Sequence, residues 1–178
     1  MFHKTERLFL RPAWIEDAPA ILSGIGEEAI VRNLAHAPWP YGLTDAEAFA
    51  RRPQDAYVPH FLIHLPGQGV IGSAGFGLSD GEVEIGYWIA RPYWNQGFAT
   101  EAARALVSLA PVLGHRRLIA GHFADNPASG RVLRKIGFRP TGRQSQRYSA
   151  GRGKAAALIE FELPVMENQP GDELKQAA

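Results

Sequence analysis

Residues 94–106 read WNQGFATEAARAL, an Asn-Gln-Gly turn running into an Ala-rich helix. The start of a helix carries N–H groups with no intrahelical partner and a partial positive charge. With side chains as small as Gly97 and Ala99, an anion such as a phosphate can reach those amides. The same residues equally suit a tight turn into a helix packed closely on a sheet, and the stretch by itself is compatible with both. It is not a P-loop, because no Gly-Lys-Ser/Thr follows. A second polar constellation, ADNPASGRVLRKIGF, spans residues 124–138. Asn126 has the type and place of a helix N-cap, Pro127 of the first helical residue, and Ser129 of a first-turn residue that satisfies an amide. Taken alone, these are capping residues, and Arg131, Arg134 and Lys135 are a solvated face.

Composition removes several other chemistries. The chain has no Cys, which excludes disulfides, thiolate zinc sites and a Cys nucleophile. Its 6 His are scattered without a metal-ligand spacing, so no metal is expected. A formal net charge of +1 makes no general case for nucleic acid. No apolar run is long enough to span a bilayer, so no membrane partner is expected. The first residues, MFHKTERLFLRP, lack the apolar core of a signal peptide, and a cytoplasmic location is the expectation. With 178 residues, 46% hydrophobic and 21% charged, the chain suits one globular domain with a sizeable core.

The elements that must position these residues can be read from periodicity. Residues 6–11 and 82–90 alternate as strands; in the latter, Val83, Ile85, Tyr87 and Ile89 share one face and Glu82, Glu84, Gly86 and Trp88 the other. Residues 14–36 and 44–52 are expected to be helical, separated by the loop HAPWPYG, 36–42. Residues 57–65 and 69–78 form a hairpin about Pro66-Gly67-Gln68. A helix over about 97–113 carries Ala99, Ala102, Ala103, Leu106, Ala110 and Leu113 on one stripe. A strand at 117–123, a helix from Asn126 to a stop at Gly137, and strands at 138–148 and 155–163 complete the pattern. The order β-α-α-α-β-β-β-α-β-α-β-β indicates a mixed α/β (α+β) sheet in one domain, not a doubly wound nucleotide fold.

Together, TERLFLRP, EIGYWIARPYWNQGFATEAARAL and NPASGRVLRKIGF resemble the GNAT superfamily of acyl-CoA-dependent N-acetyltransferases. More narrowly, they are similar to the branch containing the ribosomal-protein alanine N-acetyltransferases. The similarity runs from about residue 5 to 165. It implies a mixed, mostly antiparallel sheet flanked by helices over 1–166, with the polar stretch 167–178 as a tail. It also implies acetyl-CoA as co-substrate. The superfamily pattern Gln/Arg-x-x-Gly-x-Gly/Ala falls on residues 94–99, with Trp94 in place of the first residue and Asn95 where the branch often has Gly. The amides of Asn95, Gln96, Gly97, Phe98, Ala99 and Thr100 would hold the CoA pyrophosphate. Pantetheine would run beside Ile89, Ala90 and Arg91 like an added strand, and Asn126 would bond to it.

The chemistry that resemblance implies has definite needs. An ammonium has no lone pair, and without a Cys the direct attack of a free amine on the thioester is the simplest route. That route needs an oxyanion donor, a proton acceptor and a donor to the leaving thiolate. By resemblance the first is the backbone N–H near Trp88, freed by a bulge in the strand. Glu84 matches a general-base position; it lies roughly 13 Å from Trp88 along the strand, so it acts through water or is an ion-paired carboxylate. Ser129 is the branch's hydroxyl for the thiolate, since Leu133 occupies the usual Tyr position. His122 is a reserve base. The acceptor is a primary amine, on a small molecule or a protein N-terminus, and the competing reading is a non-catalytic acyl-CoA-binding or sensing domain. Trp39 and Tyr41 are walls of the acceptor site or caps on the core, the latter expected for Trp39. Oligomeric state is left open, a homodimer included.

Overall fold

The alternation over residues 82–89 sorts the molecule into two layers about one sheet. In the computed structural model, which describes residues 1–165, Val83, Ile85 and Ile89 are buried on one face with Tyr87 half-buried beside them. Trp88 is buried on the other. The strands are β1 (His3–Lys4), β2 (Phe9–Arg11), β3 (His60–Leu65), β4 (Gly69–Ser79), β5 (Glu82–Ile89), β6 (Arg117–Phe123), β7 (Arg139–Ser149) and β8 (Lys154–Pro164). The helices are α1 (Ala18–Ile25), α2 (Glu28–Val31), α3 (Leu43–Ala50), α4 (Phe98–Leu109) and α5 (Pro127–Lys135). The strand order is β1-β2-β3-β4-β5-β6-β8-β7, antiparallel except for the parallel β5–β6 pair. That pair needs a crossover, which α4 supplies. The sheet is therefore mixed and mostly antiparallel, as the resemblance implied. The stretch 167–178 lies outside the described residues.

Helices α4 and α5 cover the Ile85 face, where Phe98, Ala102, Ala103 and Leu106 of α4 join Leu118, Leu133 and Phe161 in one core. The Ala side chains let the helix approach the sheet closely. Helices α1, α2 and α3 cover the other face, where Ile21, Ile25, Val31 and Ala46 pack with Leu62, Trp88 and Ala90. Among the described residues no helix is long and apolar enough to cross a membrane.

The helical expectation for 14–36 breaks at Gly26 and Glu27. Gly26 donates its N–H to the Leu22 carbonyl, and a Cβ there would lie 2.6 Å from that oxygen, so only glycine fits. Glu27 is extended, and a new helix starts at Glu28. The first turn of the region is set by Asp17, whose carboxylate takes the Trp14 N–H and both terminal nitrogens of Arg11 at 2.7 Å. Burial pushes the Asp17 carboxyl up, but the Arg11 and Trp14 hydrogen bonds and the Arg11 charge outweigh it and hold the group below its ordinary value. A depressed folded-state pKa contributes stability above the ordinary carboxylate range that is lost as pH falls through the folded value. Asp17→Asn is expected to lower the thermal midpoint at pH 7 and to flatten the acid side of the stability curve. Parallel acid limbs in the two proteins would remove Asp17 from that role.

The feature that matters most for function is where β5 and β6 meet. β4 and β5 stay in register from Ser79/Glu82 to Gly72/Ile89 with no shift. β6 likewise pairs β8 from Arg117/Pro164 to Phe123/Leu158. Between them, β5 and β6 share one registered pair, Glu84/Ile119, and part beyond it. The open backbone edge of β5 thus comes from the parting of two parallel strands. The expected bulge at Trp88 is not there, because the β4 ladder runs past it unbroken.

Candidate active site

The helix that follows each parting strand starts at the same open end. After β5 comes a 3₁₀ turn at Arg91–Tyr93, then Asn95 at φ 60° and Gly97 at φ 84°, then α4. Both residues are left-handed, a conformation that Gly and Asn adopt at least cost, which accounts for Asn at position 95. Gly97 is the N-cap and brings no side-chain acceptor. The first α-helical bond runs from the Glu101 N–H to the Gly97 carbonyl, so the amides of Phe98, Ala99 and Thr100 precede the helical ladder. The turn before them, residues 94–97, is exposed, Ala99 and Thr100 are half-buried and Phe98 is buried. The Trp94 indole N–H donates to the Ile89 carbonyl at 2.6 Å, closing the end of β5. Arg91 is exposed and pairs with Glu27 at 3.2 Å.

The brace of this turn leaves no local signal in the sequence. Thr5 and Arg7, within the TERLFLRP segment, both bind Glu101 on the first turn of α4: the Thr5 hydroxyl at 2.6 Å, the Arg7 N–H at 2.8 Å and Arg7 Nε at 2.7 Å. Arg7 also donates to the Gln96 carbonyl at 3.1 Å and stacks on Phe98 at 4.5 Å. A peptide's C=O and N–H point in opposite directions, so holding the Gln96 carbonyl turns the Gly97 N–H away from Arg7. Burial alone would raise the Glu101 carboxyl, but the bonds from Thr5 and Arg7 and the Arg7 charge keep it below its ordinary value.

The other wall is the start of α5. Asn126 is its N-cap, accepting the Ser129 N–H at 3.5 Å, with Pro127 first in the helix. The preceding loop is anchored through Asp125, which takes Arg152 at 2.7 Å and Arg32 at 2.8 Å. The Arg152 hydrogen bond holds the Asp125 carboxyl below its usual range. Through it the β7–β8 turn, β6 and α2 are tied together. His122 is buried; its Nδ1–H donates to the Phe123 carbonyl at 2.9 Å, and its ring fills the space where a Cβ at Gly130 would sit.

Alternation puts Tyr87 on the apolar face, yet its hydroxyl has polar partners there. It reaches across from β5 to α5, with Oη 2.9 Å from Ser129 Oγ and 3.3 Å from the Ser129 carbonyl. A phenol at the end of an apolar face requires a partner, and that requirement was the available signal. Burial pushes the phenol up to about 12, against a smaller opposing effect of Ser129.

Glu84 sits at the last β5–β6 pair, at the closed end of the opening, and takes Arg147 Nη1 at 2.6 Å. The Trp88 ring lies against Gly24 of α1, where an added Cβ would approach it to 3.1 Å. This locks the strand segment whose amide was expected to serve the oxyanion. Trp39 is 42% exposed and does not cap the core, contrary to expectation; Tyr41 packs against the α1–α3 core instead. Among the described residues no cluster of His, Asp or Glu could hold a metal ion.

Comparison with known proteins gives this geometry its context. The family described as Acetyltransferase (GNAT) domain matches residues 7–139. The "Uncharacterized N-acetyltransferase YoaA" of Bacillus subtilis (strain 168) is 32% identical over 154 residues, covering 78% of this chain and 83% of the relative. Among solved structures, a GNAT-family acetyltransferase from Bacillus anthracis superposes with a TM-score of 0.79 at 24% identity, over 92% of this chain and 98% of the other. RimL, a ribosomal L7/L12 alpha-N-protein acetyltransferase in complex with coenzyme A, gives 0.78 at 21% identity, over 93% and 98%. The family match covers residues 7–139, most of the chain, and includes both β5 and the start of α4. The chain belongs to the GNAT acetyltransferases.

Proposed function

We propose that this chain transfers the acetyl group of acetyl-CoA directly to a primary amine in the wedge between β5 and β6. The observation that carries the reading is the parting of the two strands after Glu84/Ile119, with α4 and α5 both starting at the open end. The CoA pyrophosphate lies on the amides of residues 95–100. Pantetheine follows Ile89, Ala90 and Arg91, sharing the Ile89 carbonyl with the Trp94 indole, and meets Asn126 on the far wall. A backbone N–H near Trp88 takes the oxyanion, where an in-place donor stabilises developing charge without reorganising. Glu84 accepts the amine proton through water. RimL, a neighbour in fold, is named for α-amine acetylation and was solved with coenzyme A, which supports an α-amine of a protein or a small molecule as acceptor.

The test is acetyl-CoA binding by calorimetry together with an acceptor screen read by CoA release. The panel holds free amino acids, polyamines, aminoglycosides and peptides with different N-termini. Turnover on at least one amine is expected. Tight acetyl-CoA binding with no turnover on any class would replace the enzyme reading by an acyl-CoA-binding domain.

Ser129 is the donor to the leaving thiolate in this reading. A hydrogen bond to a charged group contributes about 1.5–3 kcal/mol, so Ser129→Ala is expected to lower turnover by about ten- to a hundredfold. A group that acts only in the transition state leaves ground-state affinity nearly unchanged. Equal losses in kcat and in acetyl-CoA affinity would make Ser129 a binding residue.

A further inference from the structure

We infer that Tyr87 is a positioning residue for the thiolate: its hydroxyl, 2.9 Å from Ser129 Oγ, directs the Ser129 proton at the CoA sulfur. The inference rests on the acetyl-CoA reading above. Its first support is topology. Tyr87 lies three residues beyond Glu84, where β5 has left β6, and Ser129 lies in the first turn of α5 on the opposite wall. The contact joins residues 42 apart in sequence across the opening.

Its second support is the count of protons. Ser129 has one O–H. In a helix a lone Ser hydroxyl commonly turns back to the carbonyl three or four residues earlier, which consumes its proton. Here Oγ has a phenol as neighbour. A phenol is a stronger acid than an alcohol and so the better donor of the two. The Tyr87 proton has two acceptors in reach, Ser129 Oγ at 2.9 Å and the Ser129 carbonyl at 3.3 Å; donation along the shorter contact leaves the Ser129 proton for an acceptor outside the pair. Burial keeps the phenol protonated far above neutral pH, so it remains a donor throughout the working range. A chain of hydrogen bonds from Tyr87 to Ser129 to sulfur polarises along its length, and each bond strengthens the next. No covalent step is required of either hydroxyl; the pair stabilises negative charge on sulfur.

This makes a measurable statement about free CoA, the product, without any knowledge of the acceptor. The chain has no Cys, so CoA supplies the only thiol in the sample. An ordinary thiol titrates near about 8.5, and hydrogen bonds to the thiolate lower that value. The experiment is a pH titration of thiolate absorbance with protein in excess, so that nearly all CoA is bound, referenced to the acetyl-CoA complex, in wild type, Tyr87→Phe, Ser129→Ala and the double variant. In wild type the thiol is expected to titrate about one unit below free CoA. Tyr87→Phe should recover about half of that shift and Ser129→Ala most of it. The double variant should match Ser129→Ala alone, because Tyr87 works through Ser129. Thermal midpoints and CoA affinity are measured alongside; a mere strap between β5 and α5 would change those and leave the thiol value where it was. The same titration in Tyr87→Phe as in wild type overturns the inference, as does an equal Tyr87→Phe effect with and without Ser129. A wild-type protein that does not bind CoA overturns the acetyl-CoA reading and this inference with it. One that binds CoA with an unshifted thiol overturns this inference alone.

Discussion

Gly97→Leu is expected to abolish most of the affinity for acetyl-CoA while leaving the fold in place. Residue 97 sits at φ 84°, which a leucine adopts only under strain. An added Cβ would stand 3.4 Å from the Arg7 guanidinium that holds the Gln96 carbonyl, so a leucine disturbs both the left-handed turn and its brace and with them the aim of the amides at 95–100. Losing two charge-assisted bonds, at about 1.5–3 kcal/mol each, corresponds to a weakening of the order of a hundredfold or more. Acetyl-pantetheine, which lacks the pyrophosphate, should lose much less, and this contrast separates a blocked phosphate site from a damaged fold. Calorimetry with both ligands decides it. An unaltered acetyl-CoA affinity in a folded variant would remove the turn at 95–100 from the binding site.

The second large effect is expected from Glu84→Gln, and its size should depend on the acceptor. A lysine side chain has a pKa near ~10.4 and an α-amine near ~8, so at neutral pH a lysine offers a far smaller unprotonated fraction. With a lysine acceptor, removal of the base is expected to cost about a hundredfold or more and to erase the low-pH limb of the rate profile. With an α-amine peptide the loss should be small and the profile should follow the acceptor's own ionisation. Acetyl-CoA affinity should be unchanged on both. The Arg147 guanidinium is on Glu84 Oε1, and in the proposed reaction the second oxygen would take a water that relays to the site further along the strand. A full-rate Glu84→Gln enzyme with an unaltered profile on both acceptors would pass the role to His122. That residue donates Nδ1–H to the Phe123 carbonyl, so Nε2 is the ring nitrogen not engaged by that bond.

The strands and the helix packing were legible because they are local. Alternation at 82–89 placed Ile85 and Trp88 on opposite faces without reference to any other segment, and the Ala stripe of 99–110 marked the buried side of α4. Asn126 and Pro127 announced the start of α5 through short-range capping chemistry. The break at Gly26 was not legible. The helical pattern continues across it, and what ends α1 is the Leu22 carbonyl beneath a glycine in a conformation the sequence does not display.

What the sequence determined by itself is the set of residues whose types are needed wherever they end up: Gly97 at a helix start, Asn126 and Ser129 in a first turn, and the absence of any thiol. Their meaning was decided in the tertiary structure, because it depends on contacts between residues far apart in the chain. Arg7 meets Gln96 and Glu101, Glu84 meets Arg147, and Tyr87 meets Ser129, each over dozens of residues of intervening chain. The decisive feature, the parting of β5 from β6 after a single pair, belongs to neither strand alone. Each strand is held in register by its outer neighbour, and the wedge is the space left when those two outer ladders diverge.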